Sequence, residues 1–96
     1  MLLNEVDALV DMRLIGERRG AVKIIVDILE IALKGAMKTE IVYKANLNFK
    51  IVQKYLDFLI KKGLMSVSSN KRKKYKTTEK GREFIKRYKE AVELIV

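Results

Sequence analysis

The sequence predicts a mainly α-helical fold with one short β-hairpin, contained in a single domain. Apolar residues recur at three- and four-residue steps over most of the 96-residue chain, whereas a short segment after Gly63 alternates apolar and polar residues. The length matches one small domain, near the lower edge of the common range of ~100–150 residues. With 49% hydrophobic and 34% charged residues, the chain has enough apolar side chains to build a core.

Two helices are predicted in the first third of the chain. The apolar spacing over residues 2–15 predicts an N-terminal helix, and Gly16 and Gly20 indicate a break or a loosened turn after it. The second helix spans residues 21–34. One of its apolar stripes is spaced to face the core: Val22, Ile25, Val26, Leu29, Ala32 and Leu33.

A second stripe on that helix also requires burial, and it consists of Ile24, Ile28 and Ile31. A helix that is apolar nearly all round is normally covered on both sides. The N-terminal helix folding back and a second subunit are the two candidates for this cover.

The middle of the chain has the spacing of a helix-turn-helix. Short helices are predicted over residues 38–44 and 48–62, with residues 45–47 between them. Asn48 is placed as the N-cap of the second helix, where its side chain can accept a hydrogen bond from a free backbone amide. The core-facing residues of that helix are Val52, Leu56 and Leu59.

A hairpin and a last helix complete the predicted order. Residues 64–69 and 74–77 alternate in polarity around a polar, basic turn at residues 70–73. The last helix begins with Thr77 or Thr78 as its N-cap. Its apolar face consists of Phe84, Ile85, Tyr88, Val92 and Ile95, and this face can dock on its own domain or pair with a second copy.

Positive charge is concentrated in the middle of the chain. Of a net charge of +9, residues 1–37 contribute −1, residues 38–80 contribute +9 and residues 81–96 contribute +1. A small domain with such a basic segment is typical of proteins that bind a polyanion. A lysine-rich surface that serves solubility alone is the alternative.

The order of helix, helix-turn-helix, hairpin and helix is that of a winged helix. The charge excess falls on the second helix of the helix-turn-helix and on the wing. The sequence therefore predicts double-stranded DNA as the partner, with helix 48–62 in the major groove and wing 69–74 on the backbone or minor groove. The candidate DNA-binding residues are Lys38, Asn46, Asn48, Lys50, Gln53, Lys54, Lys71, Arg72, Lys73 and Lys74, with Tyr55 expected beside the groove-facing set.

The sequence also resembles a known family. The stretch KTEIVYKANLNFKIVQKYLDFLIKKGLM, followed by a basic hairpin and TTEKGREFIKRYKE, is similar to the small archaeal winged-helix chromatin proteins first described from Sulfolobus. The resemblance covers about residues 21–90. It implies a homodimer joined by antiparallel C-terminal helices, with largely sequence-tolerant coating or bridging of DNA. The dimer seam that it implies consists of Phe84, Ile85, Tyr88, Val92 and Ile95.

Two features depart from that family pattern. The last helix is shorter than the family's extended coiled coil, and about twenty extra residues precede the matching region. The predicted domain thus comprises an N-terminal helical extension (1–18), a winged-helix core (20–77) and a dimerising C-terminal helix (78–96). One hypothesis is that the extension packs against the partner and replaces the missing coiled-coil length.

Catalysis is the function that the composition favours least. The chain has no cysteine and no histidine, so thiolate chemistry, the commonest metal ligand and the usual proton shuttle are missing, and no cofactor, metal or small-molecule ligand is expected. Asp7 and Asp11 form an acidic pair one helical turn apart, for which solvation is the simpler explanation. No apolar run approaches the ~20 residues of a membrane span, and we expect a cytoplasmic, nucleoid-associated protein.

Three alternatives to an architectural DNA-binding protein stay open at this point. A sequence-specific transcription regulator would use the same fold, with Asn48 and Gln53 reading bases. A protein-interaction module would dock an acidic partner through the same basic surface. Binding to RNA is also compatible with a basic winged helix.

Overall fold

The computed structural model describes residues 19–96, which form four helices and one two-stranded antiparallel sheet. In chain order the elements are α1 (Ala21–Ile31), α2 (Lys38–Ala45), α3 (Phe49–Lys61), β1 (Met65–Val67), β2 (Tyr75–Thr77) and α4 (Glu79–Glu93). The predicted winged-helix order is therefore confirmed. The helix predicted over residues 2–15, the break at Gly16 and the packing proposed for extension 1–18 lie outside the described residues.

Helix α1 packs against three other elements, namely α2, β2 and α4. Ile24 and Ile28, expected on a second face, are fully buried in the same core as Ile25 and Leu29. Val22 was expected to face that core, but it is 47% exposed, so this part of the prediction was wrong. A helix with three neighbours needs apolar side chains around most of its circumference, so its buried residues are not confined to a single stripe.

The turn after α2 sets the direction of the next helix. Asn46 adopts the left-handed conformation (φ 57°, ψ 49°), which asparagine tolerates better than most residues with a Cβ. The amide of Leu47 then bonds back to the α2 backbone, and its side chain is buried. The Arg19 guanidinium donates to the carbonyl of Ala45 (2.6 Å) and to the carboxylate of Asp27 (2.7 Å). The end of α2 is thereby fastened to α1.

Helix α3 begins and ends as its sequence predicts. The Asn48 side chain accepts a hydrogen bond from the Ile51 amide at 2.8 Å, which confirms it as the N-cap. The helix is followed by Gly63 with a φ of 76°, a left-handed position that favours glycine. The predicted core residues are all fully buried: Val52, Leu56 and Leu59.

The hairpin is short, and it is held to the rest of the domain by backbone hydrogen bonds. Its strands pair antiparallel with the register Met65↔Thr77, Ser66↔Lys76 and Val67↔Tyr75. The backbone of Tyr75 also exchanges two hydrogen bonds of 2.8 Å with Ala36, which lies just before α2. Thr77 donates through its hydroxyl to the α1 carbonyl of Leu29 at 2.6 Å. Strand β2 therefore connects the hairpin to α1 and to the chain that leads into α2.

Helix α4 starts directly at the base of the hairpin. Thr78 is its N-cap, and the hydroxyl of Thr78 accepts from the Gly81 amide (3.1 Å). Ile85 inserts into the domain core, and Lys89 pairs with Glu30 of α1 at 3.0 Å. The first half of α4 is thus part of the winged-helix domain, because the side chain of Ile85 packs in the domain core.

Candidate nucleic-acid interface

An open cleft of about 380 Å³ lies between the start of α2, the exposed face of α3 and the hairpin. Its lining residues are Met37, Lys38, Thr39, Gln53, Lys71, Arg72, Lys73 and Tyr75. Five of them are candidate DNA-binding residues from the sequence: Lys38, Gln53, Lys71, Arg72 and Lys73. Cations from two distant parts of the chain therefore border one opening, which is an arrangement that attracts a polyanion.

The wing, residues 69–74, reaches this cleft because of how its base is held. Paired amides and carbonyls join Tyr75 to Ala36, so the hairpin stands beside the chain that enters α2. Two hydrogen bonds between Ser68 and Lys74 close the loop. The Ser68 amide donates to the Lys74 carbonyl (2.9 Å), and the Lys74 amide donates to the Ser68 hydroxyl (3.0 Å). The side chains from Lys71 to Lys74 are exposed and are free of any role in the core.

The predicted groove-facing residues of α3 divide into two groups. Lys50 and Lys54 are exposed, and Gln53 is half-buried at the cleft. Asn48 is exposed, but its side-chain oxygen is occupied by the cap hydrogen bond, which leaves its amide hydrogens for an acceptor outside. Tyr55, expected beside this surface, is only 1% exposed. That expectation was wrong because Tyr55 lies three residues after Val52 and four before Leu59, which places it on the buried side of the helix.

Asn46 and Lys38 flank α3 from the side of α2. Asn46 is exposed in the helix-turn-helix turn, and its left-handed backbone gives it a structural role there. Lys38 is the first residue of α2 and is half-buried along the cleft. These positions place one polar and one charged side chain next to the α3 surface.

Two carboxylates also lie near this basic surface. Asp57 of α3 accepts a hydrogen bond of 2.8 Å from the side-chain nitrogen of Gln53. Glu40 of α2 pairs with Lys44 at 3.0 Å, and this hydrogen bond holds the pKa of Glu40 below its usual value. Burial raises the pKa of Tyr75, and the negative charge of Asp57 raises it further. Asp57 is thus joined by a hydrogen bond to Gln53, which lines the cleft together with Tyr75 of the hairpin.

The structure reveals two exposed aromatic residues that the sequence reasoning did not assign to the site. Tyr43 of α2 is 87% exposed and Phe49, the first residue of α3, is 53% exposed. Tyr43 could have been found from spacing, because it lies two residues from the buried Ile41 and so points away from the core. Phe49 could not, because it continues the spacing of the buried Val52 and Leu56.

The residues expected at a dimer seam have different surroundings in the structure. Ile85 is 7% exposed and belongs to the core of its own domain, so its assignment to the seam needs correction. Phe84 is half-buried and packs against the same core. Tyr88 and Val92 are half-buried, whereas Ile95 is 85% exposed. The apolar surface of α4 that stays accessible thus lies toward its C-terminal end.

The described residues contain neither a metal-binding cluster nor a membrane-spanning helix. In residues 19–96, no group of three or more carboxylate, imidazole or thiol side chains comes together. The helices of the same region lack the combination of length and apolar character that crossing a bilayer requires.

Comparison with known proteins gives a consistent picture. A family model described as winged helix-turn-helix matches residues 18–95. The protein MJ0287 of Methanocaldococcus jannaschii is 35% identical over 79 residues, which are 81% of this chain and 78% of that protein. Sso10a-2, a DNA-binding protein from Sulfolobus solfataricus, is similar with a TM-score of 0.72 and 33% identity, over 79% of this chain and 81% of its own.

A more distant solved structure has the same fold. BpsR of Bordetella bronchiseptica is similar with a TM-score of 0.65 over 98% of this chain and 73% of its own. At 17% identity, this similarity extends to the fold alone.

Proposed function

This chain belongs to the winged helix-turn-helix family, and on that premise we propose that it is an architectural protein that binds double-stranded DNA largely independently of sequence. The observation that carries the proposal is the cleft at which Lys38, Gln53 and the wing cations meet. The similarity to Sso10a-2, which is a DNA-binding protein, supports it. Association with the nucleoid would follow from such binding.

The electrostatics of the surface favour contacts with phosphates over contacts with bases. Lys50 and Lys54 are exposed on α3, and the four wing cations are exposed beside it. Lysine holds phosphate oxygens through a compact charge on a flexible stem and so carries little base information. In this proposal α3 occupies the major groove and the wing follows the backbone or the minor groove. Affinity therefore comes mainly from released counterions.

We expect the affinity for duplex DNA to fall steeply as salt is raised. If about six phosphates are neutralised per domain, the slope of log affinity against log salt is about −5, since each contact contributes ~0.9. The measurement is a fluorescence-anisotropy titration of a labelled 20-base-pair duplex at several salt concentrations. Titration with an uncharged buffer additive at matched osmolarity is the control. A slope near zero, or no binding at low salt, contradicts the proposal.

A sequence-specific transcription regulator is the competing function. Competition between the labelled duplex and an excess of an unrelated duplex separates the two, because a regulator retains a preference of ~10³-fold or more for its own site. Comparable competition by all duplexes supports the architectural function. Binding to an acidic protein or to RNA in preference to duplex DNA would contradict both.

We also propose that the protein is a homodimer that uses the C-terminal half of α4 and the three residues after it. Tyr88 and Val92 of α4 are half-buried, and Leu94, Ile95 and Val96, which follow the helix, are exposed. Accessible apolar side chains that lie close together in the chain are typical of a subunit contact. Two winged helices on one dimer would allow bridging of DNA. Ile85 is left out of this seam because the domain core already uses it.

We expect light scattering to give twice the chain mass of 11.1 kDa. A variant with Val92→Lys and Ile95→Lys should give the monomer mass, because two charges would be placed in the contact. A matched variant, Lys86→Glu and Glu90→Lys, keeps the charge total on α4 and should remain dimeric. The proposal fails if the wild-type protein is monomeric at concentrations of tens of micromolar or if the lysine variant stays dimeric.

A further inference from the structure

One side-chain hydrogen bond lies on the exposed surface of α3, beside the cleft. The side-chain nitrogen of Gln53 donates to the carboxylate of Asp57 over 2.8 Å, and the bond is exposed. These residues lie one helical turn apart on α3, outside the buried set, and Gln53 lines the cleft beside the wing. Asp57 is the one acidic residue in the α3 sequence, in which three lysines are also present.

The carboxylate determines which way the Gln53 amide faces. An ionised carboxylate can only accept hydrogen bonds, so Gln53 must turn its NH₂ group toward Asp57. Its two amide hydrogens cannot both be used by this bond. One N–H and the side-chain oxygen therefore remain for an external partner. These are the two groups with which glutamine pairs with the amino group and N7 of adenine in the major groove.

We propose, on the basis of the DNA binding proposed above, that Asp57 is a positioning residue that presents Gln53 to adenine and gives the protein a modest base preference. The other candidate base reader, Asn48, is less suited to this contact, because its oxygen already accepts the cap hydrogen bond of α3. Gln53 is the side chain at the cleft that is both polar and fixed in orientation by a neighbour. The partner that Gln53 would contact is the adenine of an A·T base pair in the major groove beside α3.

Asp57 has a second, opposing effect on binding. Its negative charge lies beside Gln53 at the cleft, on the surface that is proposed to approach phosphates, and this charge also raises the pKa of Tyr75. Repulsion between Asp57 and the DNA backbone therefore lowers the affinity for any duplex, whatever its sequence. Removing the carboxylate should weaken the adenine preference and strengthen general binding. A residue with a purely structural role would reduce both.

The experiment uses the full chain and two probes. The first is a pool of 20-base-pair duplexes with eight randomised central base pairs, from which bound molecules are separated by gel shift and sequenced. The second is a 20-base-pair duplex made only of G·C pairs, titrated by anisotropy. Wild type is compared with Gln53→Ala, Asp57→Ala and Asp57→Asn. Lys54→Ala, which removes a cation on the same surface, is the matched control.

We expect wild type to enrich adenine at one position about fivefold, the lower range for one bidentate pair. Gln53→Ala and Asp57→Ala should lose this enrichment. Asp57→Asn keeps an acceptor oxygen and should retain part of it. On the G·C duplex, Asp57→Ala and Asp57→Asn should bind about fivefold more tightly, since one unfavourable charge contact is removed. Lys54→Ala should bind every duplex more weakly with the enrichment unchanged.

Two results would overturn the inference alone: wild type that binds duplexes without enriching adenine, and Asp57→Ala that keeps the enrichment. Absence of any duplex binding at low salt would overturn the proposed function together with it. Thermal unfolding of each variant confirms that the exposed substitutions leave the domain folded.

Discussion

We expect a fourfold alanine substitution in the wing to weaken binding to every duplex and to make that binding much less sensitive to salt. The variant replaces Lys71, Arg72, Lys73 and Lys74. If all four hold phosphates, the log-log slope flattens by up to ~4. Between 50 and 200 mM salt, wild-type affinity would then fall on the order of a thousandfold, and that of the variant only about fourfold. The salt series with a labelled duplex measures both.

The matched control removes the same charge from surfaces that do not line the cleft. It replaces four exposed cations: Lys34, Lys80, Arg82 and Lys86. Both variants have a net charge of +5, so a long-range effect of total charge would be equal in the two. Equal flattening of the slope would mean that the wing makes no local contacts. The wing variant should remain folded, because the loop is closed by the backbone of Lys74 and by Ser68.

Helix α3 could be predicted almost completely, because its signals are local. The cap at Asn48, the glycine at 63 and the spacing of the core residues each depend on a few neighbouring positions. Phe49 marks the limit of such signals. It has the spacing of Val52 and Leu56, yet it is half exposed, since periodicity gives the face of a helix but not how far the core extends along it.

Helix α1 and helix α4 were predicted less well, because their partners are distant in sequence. Ile24 and Ile28 share a core with Ile85, which was expected in a subunit contact. An apolar stripe predicts that a helix face is buried, but it does not predict which element or subunit buries it. The amphipathic pattern of α4 is compatible with packing against α1 and with a contact to a second copy. In the structure, part of α4 packs against α1.

The candidate site depended on a contact without a sequence pattern. Ala36 pairs with Tyr75 through a single bridge of two backbone hydrogen bonds, and this bridge brings the wing beside Lys38. A one-residue bridge produces no alternation or spacing that could predict it. The cations themselves could be identified from the sequence, whereas their meeting at one cleft could not. The Gln53 and Asp57 pair did have a signal, a polar and an acidic residue one turn apart.

Replacing Gly81 by alanine is expected to destabilise the domain strongly, although alanine normally favours a helix over glycine by ~1 kcal/mol. Gly81 is buried in the first turn of α4. A Cβ built there would overlap the carbonyl oxygen of Leu64 and the methyl group of Thr77. The carbonyl is backbone and also accepts from Thr78, so it cannot move aside easily. We expect a loss of about 2–3 kcal/mol in the free energy of unfolding, the usual cost of overpacking.

The measurement is thermal unfolding followed by circular dichroism, in which this loss corresponds to a decrease in Tm of roughly 10 °C or more for a domain of this size. Gly20→Ala is the matched control, because Gly20 has a φ of −65° and no atom within 4 Å of a built Cβ. As Gly20 is the N-cap of α1, its substitution should cost no more than ~1 kcal/mol. A Gly81→Ala protein as stable as wild type would mean that α4 does not start against Leu64. The wing would then lack the support that holds its base between α1 and α4.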